Sequence, residues 1–311
     1  MKPRHTTFLK IIAIGFFSAF CSISVAETDV KNNAANTTQA TEAATRGLLF
    51  EIKSGDKTAF LFGSIHIAKP EFYPMSPKVE AAYKAADTVM VEADTTDTQA
   101  MQAMLPKLMY TAPDKLQNHL TPATWTEFQS LFGPAAEQLQ NLKPFLVLSA
   151  ITIQVAAQLG YSPEEGIDLH FIKRSKEDKK TLLELESLTF QANIMGSLSD
   201  EEGNSLIASL VDSIKKREIA SDLNNLVDAW KAADADAIAK LFIESGNKDA
   251  GSKRITKMLL DDRNEGMANK INQTMASGKK LFVVVGAGHL AGEKSVIDLL
   301  KKQGLEVKQI R

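Results

Sequence analysis

Lys280-Leu281-Phe282-Val283-Val284-Val285-Gly286-Ala287-Gly288-His289 is the stretch on which the reading of this chain turns. An apolar run rich in β-branched and aromatic residues, bounded by glycine, is expected to be a strand covered on both faces. It ends at Gly286, and a histidine follows three residues on. The same order occurs near the other end of the chain, where Thr58-Ala59-Phe60-Leu61-Phe62 runs into Gly63-Ser64-Ile65-His66. In both places the glycine is expected to let the chain turn sharply as it leaves the strand. The imidazole three residues later can then point back across the strand ends.

Working outward, Leu48 to Ile52 and Thr58 to Phe62 flank Ser54-Gly55-Asp56-Lys57, which reads as a hairpin. A helix is expected from about Ser76 to Ala86, with Val79, Ala82, Tyr83 and Ala86 on its apolar face. Thr88 to Val91 is a short buried-type strand ending at Glu92, and Thr181 to Leu185 another, ending at Glu186. Roughly 97 to 178 reads as mostly helix, with Thr121-Pro122 as N-cap and first helical residue and an all-round apolar helix from Phe145 to Leu159. Helices again fill 188 to about 277, and a closing helix, 290 to 303, leads through Gly304 to a last strand, Leu305 to Ile310. Strands alternating with helices at both ends imply an α/β fold, a central mixed sheet flanked by helices, with a large helical insertion in the middle.

Four side chains able to bind a metal or move a proton fall at or just past the C-terminal ends of expected strands: His66, Glu92, Glu186 and His289. That edge of an open α/β sheet is where ligands bind. Two imidazoles and one or two carboxylates suit a divalent metal with an open position, which lowers the pKa of a bound water, while a second carboxylate accepts its proton. The plain alternative is that each histidine caps a neighbouring backbone group. Arg263 follows two acids, so it reads as an ion-pair partner or as an anion clamp, and Asn264 as a ligand-orienting group or a helix cap. Asp168, near the start of a short helix, reads first as a partner of the helix dipole. His170 reads as a surface or packing residue and His119 as structural. There is no Gly-x-Ser-x-Gly elbow for a serine hydrolase. The glycines of 286–292 lack the third-glycine spacing of a dinucleotide-binding turn.

The sequence resembles the TraB/GumN (PrgY) family, whose animal relatives are the Tiki proteins, proposed as metalloproteases. The resemblance runs from about Leu48 to Ile310. It is carried by Phe62-Gly63-Ser64-Ile65-His66, Val91-Glu92, Gly166-Ile167-Asp168, Leu185-Glu186 with Gln191, Asp262-Arg263-Asn264 with Met267, and Val285-Gly286-Ala287-Gly288-His289. It implies a metal-dependent hydrolase site. His66, Glu92 and His289 would hold a divalent ion (Zn, Mn or Co), Glu186 would serve as a further ligand or general base, and Arg263 and Asn264 would serve substrate and ligand. It favours a peptide or protein substrate. It leaves open a second reading, a non-catalytic peptide- or haem-binding protein on the same fold.

The N-terminus reads as an export signal. Lys2, Arg4 and Lys10 precede an apolar run from Ile11 to Ile23, and Ser24-Val25-Ala26 supplies small residues for cleavage after Ala26, so 1–26 is expected to be removed. Residues 27–46, rich in Ala, Thr, Asn and Gln, read as a disordered linker before a single domain, 47–311. A periplasmic or secreted protein follows, with no stable membrane span after cleavage. The only cysteine, Cys21, lies in the leader, so any metal in the mature chain must take His, Asp or Glu ligands. Cleavage lowers Lys plus Arg from 36 to 33 against 38 acids, leaving a net charge near −5. That balance argues against a nucleic-acid partner.

Overall fold

The structure, a computed structural model, describes residues 47–246 and 250–311. The expected leader and the whole of the expected linker, 1–46, lie outside them. Six strands form one mixed sheet: β1 (Leu48–Ser54), β2 (Lys57–Ser64), β3 (Thr88–Val91), β4 (Thr181–Glu184), β5 (Leu281–Gly286) and β6 (Glu306–Ile310). Their order is β4-β3-β5-β2-β1-β6. The first four in that order are mutually parallel, whereas β1 runs antiparallel to both β2 and β6. The expected mixed α/β sheet with flanking helices is therefore the observed fold.

Local sequence explains these elements. Ser54 pairs with Lys57, which leaves Gly55-Asp56 as a two-residue hairpin loop, and Gly55 takes φ +61°. Glycine at the first loop position with positive φ matches the twist of the flanking strands. β3 and β5 are buried along nearly their whole length, as apolar parallel strands covered on both faces should be. Thr121 caps the helix Pro122–Phe132 by accepting from the Thr124 N–H, with Pro122 at the first helical position. Ser199 and Glu202 form a reciprocal capping box on Asp200–Lys215.

The helical insertion occupies two crossovers. The chain from β3 to β4 and the chain from β4 to β5 are both largely helical. Together they build a second apolar core, in which Met104, Leu108 and Phe145 from the first meet Leu206, Leu210 and Leu259 from the second. The sheet has its own core, centred on Phe62, Phe171, Phe282 and Trp230. Trp230, fully buried, stacks on Phe72 and donates its indole N–H to the Gly63 carbonyl at 2.6 Å. That bond satisfies the one polar atom of a large apolar side chain and ties β2 to a helix of the second crossover. The closing helix is shorter than expected. A 3-10 turn, Ala287–Leu290, leaves β5, and the α-helix begins only at Val296, capped by Ser295.

Candidate active site at the strand ends

The four parallel strands deliver the four expected side chains to one edge. His66 lies two residues past β2, Glu92 immediately past β3, Glu186 two past β4, and His289 three past β5. Arg263 and Asn264 reach the same place from the helix Asp262–Ala276.

His66 is seated by a neighbouring turn. The Ile167 N–H donates to the Ile65 carbonyl at 3.0 Å. A Cβ on Gly166 would come within 2.6 Å of the His66 carbonyl oxygen, so the backbone approaches more closely than any side chain would permit. This contact places Asp168 on the first turn of Ile167–Glu177, with its Oδ2 2.9 Å from His66 Nδ1. Burial opposes the charged imidazole, but the Asp168 carboxylate outweighs it and raises the His66 pKa above its ordinary value. Asp168 is itself buried, and its Oδ1 has no hydrogen-bond partner. The dipole reading of Asp168 is thus incomplete, since its carboxylate also orients an imidazole.

His289 is held by Asn264, whose Oδ1 is 2.6 Å from His289 Nδ1. The Asn264 amide N–H donates to the Lys294 carbonyl at 2.9 Å. A carbonyl can only accept, so the other end of the amide must be its oxygen, and His289 Nδ1 must carry the proton. Nε2 then presents its lone pair toward Glu92, whose Oε1 is 3.7 Å away. Burial is the main reason that the His289 pKa falls, to about 3, so the ring is neutral at neutral pH.

Glu92 Oε1 accepts the Gly286 N–H at 2.7 Å, and Oε2 accepts from Arg263 Nη2 at 2.6 Å and from Gln191 Nε2 at 3.3 Å. Burial works against its charge, but His289, Arg263, His66 and the Gly286 N–H together outweigh it and bring the carboxyl down to about 2. Arg263 is 3 % exposed. Its Nε donates to both Glu186 oxygens at 3.0 and 3.1 Å, its Nη2 also reaches Glu186 Oε2 at 2.6 Å, and its Nη1 donates to the Leu259 carbonyl at 2.8 Å. That carbonyl belongs to a π-helical turn, Lys257–Asp261, a rare form that recurs at functional sites. Gln191 completes the group through a 3.0 Å bond to Glu186 Oε2.

The glycines of the two Gly-x-x-His turns serve a purpose other than the expected one. Neither Gly63 nor Gly286 adopts positive φ. What both need is space. A Cβ on Gly63 would sit 3.1 Å from the Leu48 Cβ and from Leu290 Cδ1. One on Gly286 would sit 3.2 Å from Glu92 Oε1, 3.5 Å from His66 Nε2 and 3.7 Å from His289 Cδ2. The bare backbone at Gly286 therefore marks the point on which one carboxylate and two imidazoles converge.

Those donors are of the right kind for a divalent metal: neutral imidazole and carboxylate, with each imidazole's Nδ1 oriented by a second residue. Among the described residues, no group of three or more His, Cys, Asp or Glu side chains is gathered tightly enough to hold an ion. The donor chemistry and the cradle over Gly286 fit a metal; the spacing would have to close around it. The other two described histidines stand apart. His170 stacks on Tyr73, and His119 lies between Asp114 and Asp200 while stacked on Tyr110.

An α/β sheet with imidazoles and carboxylates at the ends of its parallel strands defines the class, and sequence comparison supplies the family. The profile of the TraB/PrgY/gumN family matches residues 48–309, and the chain belongs to that family. It is 24 % identical over 255 residues to an uncharacterized protein, YbaP, of Escherichia coli K12, covering 79 % of this chain and 89 % of that one. It is 22 % identical over 310 residues to a metalloprotease TIKI homolog of Nematostella vectensis, covering 81 % of this chain and 65 % of that protein. It is 20 % identical over 321 residues to metalloprotease TIKI1 of Danio rerio, covering 87 % and 64 %. This chain thus spans about two-thirds of the length of those two metalloproteases. No solved structure matches it.

Proposed function

We propose that this protein is an exported metal-dependent hydrolase of peptide bonds, in which His66, Glu92 and His289 hold a divalent ion such as Zn, Mn or Co. The observation that carries the reading is the matched treatment of the two histidines. Each comes from a strand end, and each has Nδ1 committed to an orienting partner, Asp168 or Asn264. Relatives named metalloproteases lie in the same family. A bound divalent ion would supply an acidified water as nucleophile and polarise the substrate carbonyl.

The chain's own residues do the rest. Asn264 keeps His289 in the one tautomer that presents Nε2 to the site, and the low His289 pKa keeps it an unprotonated donor. Arg263 anchors Glu92 through Oε2 and so leaves Oε1 aimed at the histidines. Buried and bonded at all three nitrogens, Arg263 suits this bracing better than the capture of substrate. Glu186, its two oxygens held by Arg263, is placed as Arg263's counter-charge, and its service as a base requires that pairing to loosen. This same pairing favours a second reading, a binding protein without turnover, because no carboxylate of the group is left unengaged. Export rests on the sequence of 1–26; among the described residues no helix is long and apolar enough to cross a membrane.

The test is elemental analysis of the purified chain beside a His66→Ala/His289→Ala double variant that still folds. About one ion per chain in the first and none in the second is expected. Equal metal content in the two, or none in either after loading with Zn, Mn or Co, would overturn the metal-site reading. Retained metal without peptide cleavage would turn the assignment to the binding protein.

A further inference from the structure

β4 is an edge strand. Among the described residues it pairs with β3 alone. Its pairing continues one residue beyond the strand, where the Leu185 N–H donates to the Val91 carbonyl at 2.7 Å; past the ladder, at the candidate site, the Glu186 N–H donates to the Glu92 carbonyl at 2.8 Å. The Thr181 N–H bonds to Asp87 in the same way. In a parallel ladder alternate residues turn their backbone groups toward one neighbour. Thr181, Leu183 and Leu185 therefore face β3, while Leu182 and Glu184 turn their N–H and C=O groups outward. Thr181 is exposed and Leu182, Leu183 and Glu184 are half-buried, against a fully buried β3.

The two edges of the sheet differ. β6, at the far end, carries exposed charged residues, Glu306 and Lys308, of the kind that discourage strand addition. β4 reads Thr-Leu-Leu-Glu and ends where Glu186, Arg263 and Glu92 meet. Phe190, one of three large apolar side chains exposed on the described surface, lies on the first turn of the helix that follows.

We propose that β4 receives the extended backbone of a polypeptide substrate as an added strand. Pairing there would lead the bound segment to the side chains at the strand ends, and Phe190 would offer an apolar contact beyond them. The proposal rests on the peptide-hydrolase reading above. A substrate is the occupant that fits because a four-residue edge offers too little surface for a stable dimer, whereas substrates need only bind transiently. Strand addition recognises backbone and so accepts varied sequences.

The test uses the full chain loaded with Mn or Zn and unfolded casein as the probe. Hydrogen exchange should slow at the Leu182 and Glu184 amides when casein is added. Leu182→Pro, which removes an outward N–H and no bond to β3, should raise KM or Kd for casein roughly tenfold, the scale of one backbone hydrogen bond. Leu182→Ala should not, and metal content should be unchanged in both. Should Leu182→Pro fail to fold, the exchange measurement on the unsubstituted chain decides. Casein bound or cleaved without protection of 181–184 would overturn the edge proposal and leave the hydrolase reading standing. Metal bound but no casein bound or cleaved would overturn a polypeptide as the occupant. Protection that grows with the concentration of the chain alone would assign the edge to a second copy and overturn it as well.

Discussion

Removing Arg263 tests whether the buried ion network holds the site together. In Arg263→Met a similar volume is kept, but Glu92 and Glu186 lose their shared guanidinium in a place that water scarcely reaches. Leaving a buried charge without its partner costs about 3–5 kcal/mol. An independent route gives a similar scale. The Glu92 carboxyl sits at about 2 against an ordinary 4.5, and a shift of that size corresponds to about 3 kcal/mol, an upper figure because the two histidines share it. The sign fixes the pH dependence. A carboxyl whose folded pKa is depressed contributes its full stability above pH 4.5 and loses it as the pH falls from there toward 2. The variant should therefore be about 3 kcal/mol less stable near neutral pH, and the gap should narrow below pH 4.5 as the wild type gives up its advantage. Urea unfolding of both proteins in the presence of a chelator, followed from neutral to acid pH, measures it. A loss under about 1 kcal/mol at neutral pH, or a gap that does not change with acid, would refute the argument that Arg263 braces two buried carboxylates.

Four further outcomes follow from the same geometry. Asn264→Ala removes the acceptor that sets the His289 tautomer, so metal affinity measured by competition calorimetry should fall about 10- to 100-fold; an unchanged affinity would exclude the orienting role. Asp168→Asn should lower the His66 pKa seen by NMR titration, because the carboxylate is what raises it; no movement would mean that His66 is held otherwise. Gly286→Ala puts a methyl 3.2 Å from Glu92 Oε1 and 3.5 Å from His66 Nε2, so it should abolish metal binding while the melting temperature falls by only a few degrees; retained stoichiometric binding would place the ion elsewhere. His119 contacts carboxylates at both ring nitrogens, which requires both to be protonated, and its pKa is raised: burial opposes the charge, but Asp200 and Asp114 outweigh it. Its contribution is full below pH 6.5 and lost as the pH rises through the elevated value, so the melting-temperature difference between wild type and His119→Gln should vanish at alkaline pH; a pH-independent difference would contradict it.

The sheet was legible because its strands announce themselves. Thr88 to Val91 and the run ending at Val285 are short, apolar and bounded, and the structure gives both as strands. Helix starts were legible where capping chemistry is local, at Thr121-Pro122. The closing helix was placed six residues early because Leu290 and Ala291 continue an apolar pattern, although Gly292, at φ +81°, interrupts it. Helix was legible over both 97 to 178 and 188 to about 277, but periodicity cannot show that the two stretches share a core. Only tertiary packing brings Phe145 to Leu206 and Leu210.

The site divides along the same line. Residues at strand ends could be found from strand pattern, because parallel strands fix where their C-termini lie. The partners that orient them could not. Asp168 is 102 residues from His66 in the chain and meets it only because Gly166 lets two backbones press together. The role of Arg263 was open between ion pair and anion clamp because charge in sequence says nothing of burial. In the structure its head group is enclosed, its Nε and Nη2 donate to Glu186 and Glu92, and its Nη1 donates to the Leu259 carbonyl, so the ion pair is present and buried. The two glycines carry the sharpest lesson. Their spacing to histidine was visible, but the reason for glycine was not the turn. Gly63 makes room for Leu48 and Leu290, and Gly286 keeps a methyl out of the point where Glu92, His66 and His289 converge. A methyl at Gly286 would press on the three side chains proposed to hold an ion while leaving the sheet's core untouched, which is why Gly286→Ala tests the proposed metal site apart from the fold.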